Sequence, residues 1–130
     1  MAQVYESKGE YDKALSMYEQ ALAIYRKALG DEHSSVATTL DNMAVVYDSK
    51  GEYNKALSMH EQALAIKRKA LGDQHPSVAM TMYNMGMLLK AQGRKTEARQ
   101  HFQGAHDIRL SMLGPSHPDT VDAAEALRDL

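Results

Sequence analysis

Cysteine is absent from this 130-residue chain, which excludes disulfides, thiolate catalysis and thiolate-held zinc. A surplus of either charge is also missing. The 15 Lys and Arg against 17 Asp and Glu leave a formal net charge of -2, which gives no electrostatic reason to expect nucleic acid or an anionic membrane as partner. No apolar run approaches the roughly 20 residues that a membrane span requires. The first residues, Met1 to Lys8, lack the basic and apolar regions of a secretory signal. A soluble chain in a reducing, cytoplasmic setting is the expectation. Phosphate loops, nucleophile elbows and paired-histidine metal motifs are absent too, so neither an enzyme nor a cofactor is expected. What is present suffices to fold. Hydrophobic residues make up 44% and charged residues 25%, a composition outside the disordered range and a length suited to one compact domain.

The strongest positive signal is self-similarity. Gly9, Gly51 and Gly93 are 42 residues apart, as are Ala14, Ala56 and Ala98, then Ala21, Ala63 and Ala105. Ile24, Ile66 and Ile108, the Leu-Gly pairs ending at Gly30, Gly72 and Gly114, and His33, His75 and His117 keep the same step. Residues 1–42 match residues 43–84 at 32 of 42 positions. Residues 85–126 match the preceding block at only 9, yet those retain the small and apolar framework, which points to a packing requirement.

Each unit reads as two helices. The first, Ser34 to Lys50, carries Val36, Leu40, Met43, Ala44 and Tyr47 at helical spacing and stops at Gly51. The second, about Tyr53 to Leu71, carries Ala56, Leu57, His60, Ala63, Leu64, Lys67 and Leu71. Lys67 is expected at its edge with only the stem buried. Gly72 ends it, and Pro76 and Pro118 suit first helical turns. Small residues should sit where helices cross about 8–10 Å apart, with Ala44 or Gly86 facing Ala56 or Ala98. Pro118 to Leu130 should form a terminal helix, with Ala124, Leu127 and Leu130 inward and Asp122, Glu125, Arg128 and Asp129 toward water.

This pattern resembles the tetratricopeptide repeat. Leu40, Met43, Ala44, Tyr47, Ala56, His60 and Ala63 fill the motif places in one copy. Met82, Met85, Gly86, Leu89, Ala98, Phe102 and Ala105 fill them in the next, and Ala2, Tyr5, Ala14, Tyr18 and Ala21 are what the first copy retains. The usual period is about 34 residues, and the longer unit here is similar to the kinesin light chain-like subclass. The resemblance implies an all-α fold, a right-handed α-solenoid of antiparallel helix pairs. It divides the chain into a partial repeat (1–33), repeats at 34–75 and 76–117, and a capping helix (118–130) within one domain.

The resemblance also implies a function, protein-protein interaction. In this family the first helices of successive units line a concave face that holds an extended peptide or a partner helix. It implies Asn42 and Asn84 as groove asparagines, whose amides both donate and accept and so suit a peptide backbone. Asp41, Val45 and Asp48 should share that face in one unit, with Thr38. Met80, Tyr83, Met87 and Lys90 should share it in the next, where the methionines make an adaptable apolar patch. Kinesin light chains are associated with acidic, tryptophan-containing peptides; Asp41 and Asp48 argue against that preference here. The alternative is self-association, a homodimer through the incompletely covered first repeat. His33, His75 and His117 recur once per repeat, too far apart to share a metal, and each precedes a helix where a ring nitrogen can accept a backbone N–H. His101 and His106 are five residues apart, whereas the helical zinc motif needs a spacing of about four, and no metal is expected.

Overall fold

The structure, a computed structural model, describes residues 10–130. Among them are six helices and no strand: α1 (Tyr11–Leu29), α2 (Ser34–Ser49), α3 (Tyr53–Leu71), α4 (Pro76–Ala91), α5 (Lys95–Leu113) and α6 (Pro118–Arg128). Ala2, Tyr5 and Gly9, assigned above to the first repeat, lie outside the described residues. The chain forms two compact units, Met1–Ala70 and Leu71–Leu130.

The helices begin and end where local chemistry dictates. Gly51 sits at φ 82°, a left-handed conformation that costs a residue with Cβ. It lets the Gly51 N–H reach the Asp48 carbonyl at 2.9 Å and the Glu52 N–H reach that of Tyr47 at 2.8 Å. Gly93 repeats the arrangement, with Gly93 N–H on Lys90 and Arg94 N–H on Leu89, both at 2.9 Å. These paired bonds satisfy carbonyls that a helix end otherwise leaves open. The three repeated histidines are N-caps, as their position before each helix predicts. His33 Nδ1 accepts from the Ser35 N–H at 3.0 Å, His75 Nδ1 from Ser77 at 3.0 Å, and His117 Nδ1 from Asp119 at 3.1 Å.

In the first unit, Ala14, Leu15 and Leu22 of α1 pack with Val36, Leu40, Met43 and Val46 of α2 and Ala63 of α3. Thr39 also lies inside, its hydroxyl donating to the Ser35 carbonyl at 2.9 Å, so its polar group is satisfied within its own helix. In the second unit, Met85, Leu88 and Leu89 of α4 and Ala98, Phe102, Ala105 and Ile108 of α5 are buried.

A Cβ on Gly86 would lie 2.7 Å from carbons of the Phe102 ring, which keeps this position small. Two packing expectations need correction. The inward residues of α6 are Thr120, Ala123 and Ala126, while Ala124 and Leu127 are half-buried. Lys67 does not lie at an edge with an exposed head; it is 4% exposed, and its ammonium is inside with an acid partner.

Candidate protein-interaction surface

In the first unit α2 places Asn42, Val45 and Asp48 outward, all exposed. Asp41, one residue before Asn42, turns toward α3. Its Oδ1 lies 2.8 Å from His60 Nδ1 and its Oδ2 accepts from Lys67 Nζ at 2.5 Å. The His60 and Lys67 side chains are 2% and 5% exposed and that of Asp41 13%. Burial works against the Asp41 carboxylate, yet the hydrogen bonds from His60 and Lys67 outweigh it and hold its pKa below the ordinary 3.8. The acid that seemed to argue against an acidic partner is thus already neutralised inside the unit. Asp48 differs: partial burial raises its pKa, against the opposing pull of His60.

Next to Asn42, between α1 and α2, lies a pocket of about 300 Å³. Its walls are Tyr18, Ala21 and Tyr25 from α1 and Ser34, Ser35, Thr38 and Thr39 from α2. Two phenol rings and four hydroxyls make an uncharged lining that can stack an apolar group and hydrogen-bond a polar one. Sequence reasoning placed Thr38 and Asn42 on this face but missed the tyrosines. Their spacing of seven residues, which stacks them along one side of α1, was the available signal.

In the second unit α4 carries Met80, Tyr83 and Met87 at i, i+3 and i+7, one helical face. Met80 is 52% and Met87 46% exposed, Lys90 is exposed, and Tyr83 and Asn84 are half-buried. Tyr83 is held from behind. Its ring centroid is 5.5 Å from that of Phe102, tilted at 57°, and the Arg109 guanidinium carbon lies 4.8 Å from the Tyr83 centroid. Arg109, itself buried, donates to the Asp119 carbonyl at 3.0 Å. Burial raises the Tyr83 pKa, Asp122 and Glu125 push it further up, and Arg109 opposes them. The site therefore presents a rigid aromatic flanked by two flexible thioethers, an arrangement suited to apolar contact with a protein surface.

No helix among the described residues is long and apolar enough to cross a membrane. Among the same residues no three His, Asp or Glu side chains are grouped to hold a metal ion.

Helix pairs recurring along the chain, with alanines buried at the repeated positions Ala14, Ala56 and Ala98, define a helical-repeat protein. The model of the tetratricopeptide repeat matches residues 1–69 and 51–111, and the chain belongs to that family. Its type is kinesin light chain-like. A Podosopora anserina protein described as a kinesin light chain with nearly identical TPR-like repeats superposes at TM-score 0.84 with 27% identity, covering 98% of this chain and 61% of that one. BtubC (BKLC) from P. vanneervenii superposes at 0.86 with 27% identity, covering 97% and 50%. The chain therefore spans 61% and 50% of the lengths of those two structures. The N-terminal domain of stress-induced protein-1 from C. elegans, at 20% identity and TM-score 0.68 over 98% of this chain and 88% of that one, shares the fold. None of the curated proteins compared with the chain matches it. Tetratricopeptide repeats generally mediate interactions between proteins.

Proposed function

We propose that the chain is a non-catalytic interaction scaffold that holds an extended segment or a helix of a cytoplasmic partner protein against the outward faces of its first-type helices. The exposed apolar residues carry this reading: Val45 on α2, and Met80 and Met87 beside Tyr83 on α4. Asn42 and Asn84 accompany them, one on each face, with amides suited to a peptide backbone. Asp41 supports the first face from behind through its bonds to α3, Asp48 edges that face with charge, and Lys90 edges the other.

The test begins with a peptide selected by display on the intact chain. Asn42→Ala with Asn84→Ala is expected to weaken its binding by about 0.5–1.5 kcal/mol for each hydrogen bond lost, with the helical circular dichroism unchanged. Affinity equal to that of the parent chain removes the asparagines from the site.

A second reading, self-association through α1, has its own observation. Ile24 is 64% exposed, with Met17, Tyr25 and Leu29 also exposed on the same helix, an apolar surface of the kind that finds partners. Its counterpart on α5, Ile108, is 5% exposed. Leu15 is buried in the α1–α2 core and Tyr11 only half-exposed, so Ile24 is the informative position. If this surface pairs copies, light scattering will show a dimer that Ile24→Glu converts to monomer. A parent chain that is monomeric at high concentration rejects the reading.

A further inference from the structure

We propose that α6 of one copy seats in the slot between α1 and α2 of a second copy, in the register by which α2 lies on α3. The inference rests on the self-association reading above and names the surface that meets α1.

The template is inside the chain. By the step of 42 residues, α2, α4 and α6 are first-type helices and α1, α3 and α5 second-type ones. Within the first unit, α2 lays Asp41 on His60 and Lys67 of α3. Within the second, α4 lays Tyr83 on Phe102 and Arg109 of α5. The corresponding residues are Tyr18 and Tyr25 on α1, and Glu125 on α6.

Both halves of that contact stand open. Ala63 and Ala105 are fully buried, whereas Ala21 is only half-buried. Lys67 and Arg109 are buried, whereas Tyr25 is exposed. Tyr18, Ala21 and Tyr25 instead line the pocket of about 300 Å³ against α2. On α6, Val121 is exposed where Ala37 and Ala79 are fully buried. Ala124 is half-buried where Leu40 is buried, and Glu125 is exposed. Repeat helices bury such faces on their neighbours, and a helix laid in a groove is a common mode of recognition.

In this register α6 would turn Val121 and Ala124 toward α1 and bring the Glu125 carboxylate to Tyr25, whose hydroxyl donates to it. Arg128 takes the place of Ala44 and Gly86. A side chain there meets the facing helix, as the closeness of Gly86 to Phe102 shows, so the seated segment is residues 118–127. The two surfaces differ, so a copy that has given its α6 still offers its slot. Such a contact is heterologous and growth continues past two copies, whereas pairing of α1 with α1 would stop at a dimer.

The experiment uses light scattering after gel filtration on four full-length chains: the parent, Val121→Glu, Tyr25→Glu and Tyr25→Phe. Val121 and Tyr25 are exposed, so the variants should keep the helical circular dichroism of the parent. The mass of the parent should rise with concentration beyond a dimer. Val121→Glu, blocked at α6, and Tyr25→Glu, blocked at the slot, should each be monomeric alone. Mixed in equal amounts they should form a dimer and nothing larger, because one intact α6 then meets one intact slot. Tyr25→Phe should weaken association about tenfold through loss of a hydrogen bond to a charged group. Blocked variants that stay monomeric when mixed overturn the proposal, as does unchanged association of Tyr25→Phe. Val121→Glu that associates as the parent does overturns it while leaving self-association through α1 standing. A parent that is monomeric at high concentration removes both.

Discussion

Asp41→Ala is expected to lower the unfolding free energy by about 3 kcal/mol, near the lower end of what removing one member of a buried ion pair costs. The physical reason lies in what remains. Lys67 Nζ and His60 Nδ1 would stay inside the first unit with side chains 5% and 2% exposed and no carboxylate between them. Asp41 itself retains some contact with water, which places the loss at the lower end rather than the upper. Against a total of about 5–15 kcal/mol for an ordinary domain, such a loss is visible in any urea titration. Lys67→Met should cost less than Asp41→Ala, because it removes one desolvated charge and leaves Asp41 its bond to His60. A urea series that finds Asp41→Ala within about 0.5 kcal/mol of the parent shows that water takes over the role of the carboxylate.

The same residue sets an acid dependence. Folding lowers the pKa of Asp41, so the unfolded chain takes up this proton more readily than the folded one. The stability it contributes is complete above the ordinary value of 3.8 and is lost as pH falls through the lower folded value. The parent should therefore destabilise more steeply than Asp41→Asn as the pH is lowered from about 5 to 3. Parallel profiles would assign acid unfolding to other carboxylates.

Phe102→Ala should have the other large effect, about 3–5 kcal/mol. Phe102 is fully buried, faces Gly86 and stacks on Tyr83. Deleting its ring opens a cavity against a residue that has no side chain to fill it, and Tyr83 loses its support. The close approach gives an internal check. Gly86→Ala in the parent should destabilise by about 1–3 kcal/mol through overpacking. In the Phe102→Ala background the same methyl group should be harmless or stabilising. Equal effects of Gly86→Ala in both backgrounds would show that Gly86 and Phe102 do not share the space.

The helices and their ends were legible because each is written locally. A step of 42 residues located the units, glycines marked the stops, and histidines before Ser34, Pro76 and Pro118 marked the starts. The ionic cluster was not legible in the same way. Asp41 and Lys67 each sit on a helix where a charge ordinarily means a surface, and their partnership joins residues 26 apart. Comparing the ten differing positions of the first two blocks with one another, instead of reading each helix alone, would have exposed it. The rotation of α6 was misjudged for a related reason. Thr39 and Thr81 are buried with their hydroxyls turned back to Ser35 and Ser77. A polar residue that satisfies itself looks like surface in a hydrophobicity pattern, and that shifted the assumed inner stripe by one residue. On the outward faces, the apolar exposure of Met80 and Met87 followed from helical spacing. The tyrosine-walled pocket needed two helices in place.

The methionines of α4 also bear on how the protein must be handled. Met85 is 4% exposed, whereas the thioethers of Met80 and Met87 stand open to solvent. Peroxide would reach the outer pair first and turn each flexible apolar side chain into a polar sulfoxide. Aged or oxidised preparations would then keep their helices and lose the greasy character of that face, so the redox history of a sample becomes part of any affinity measured with it.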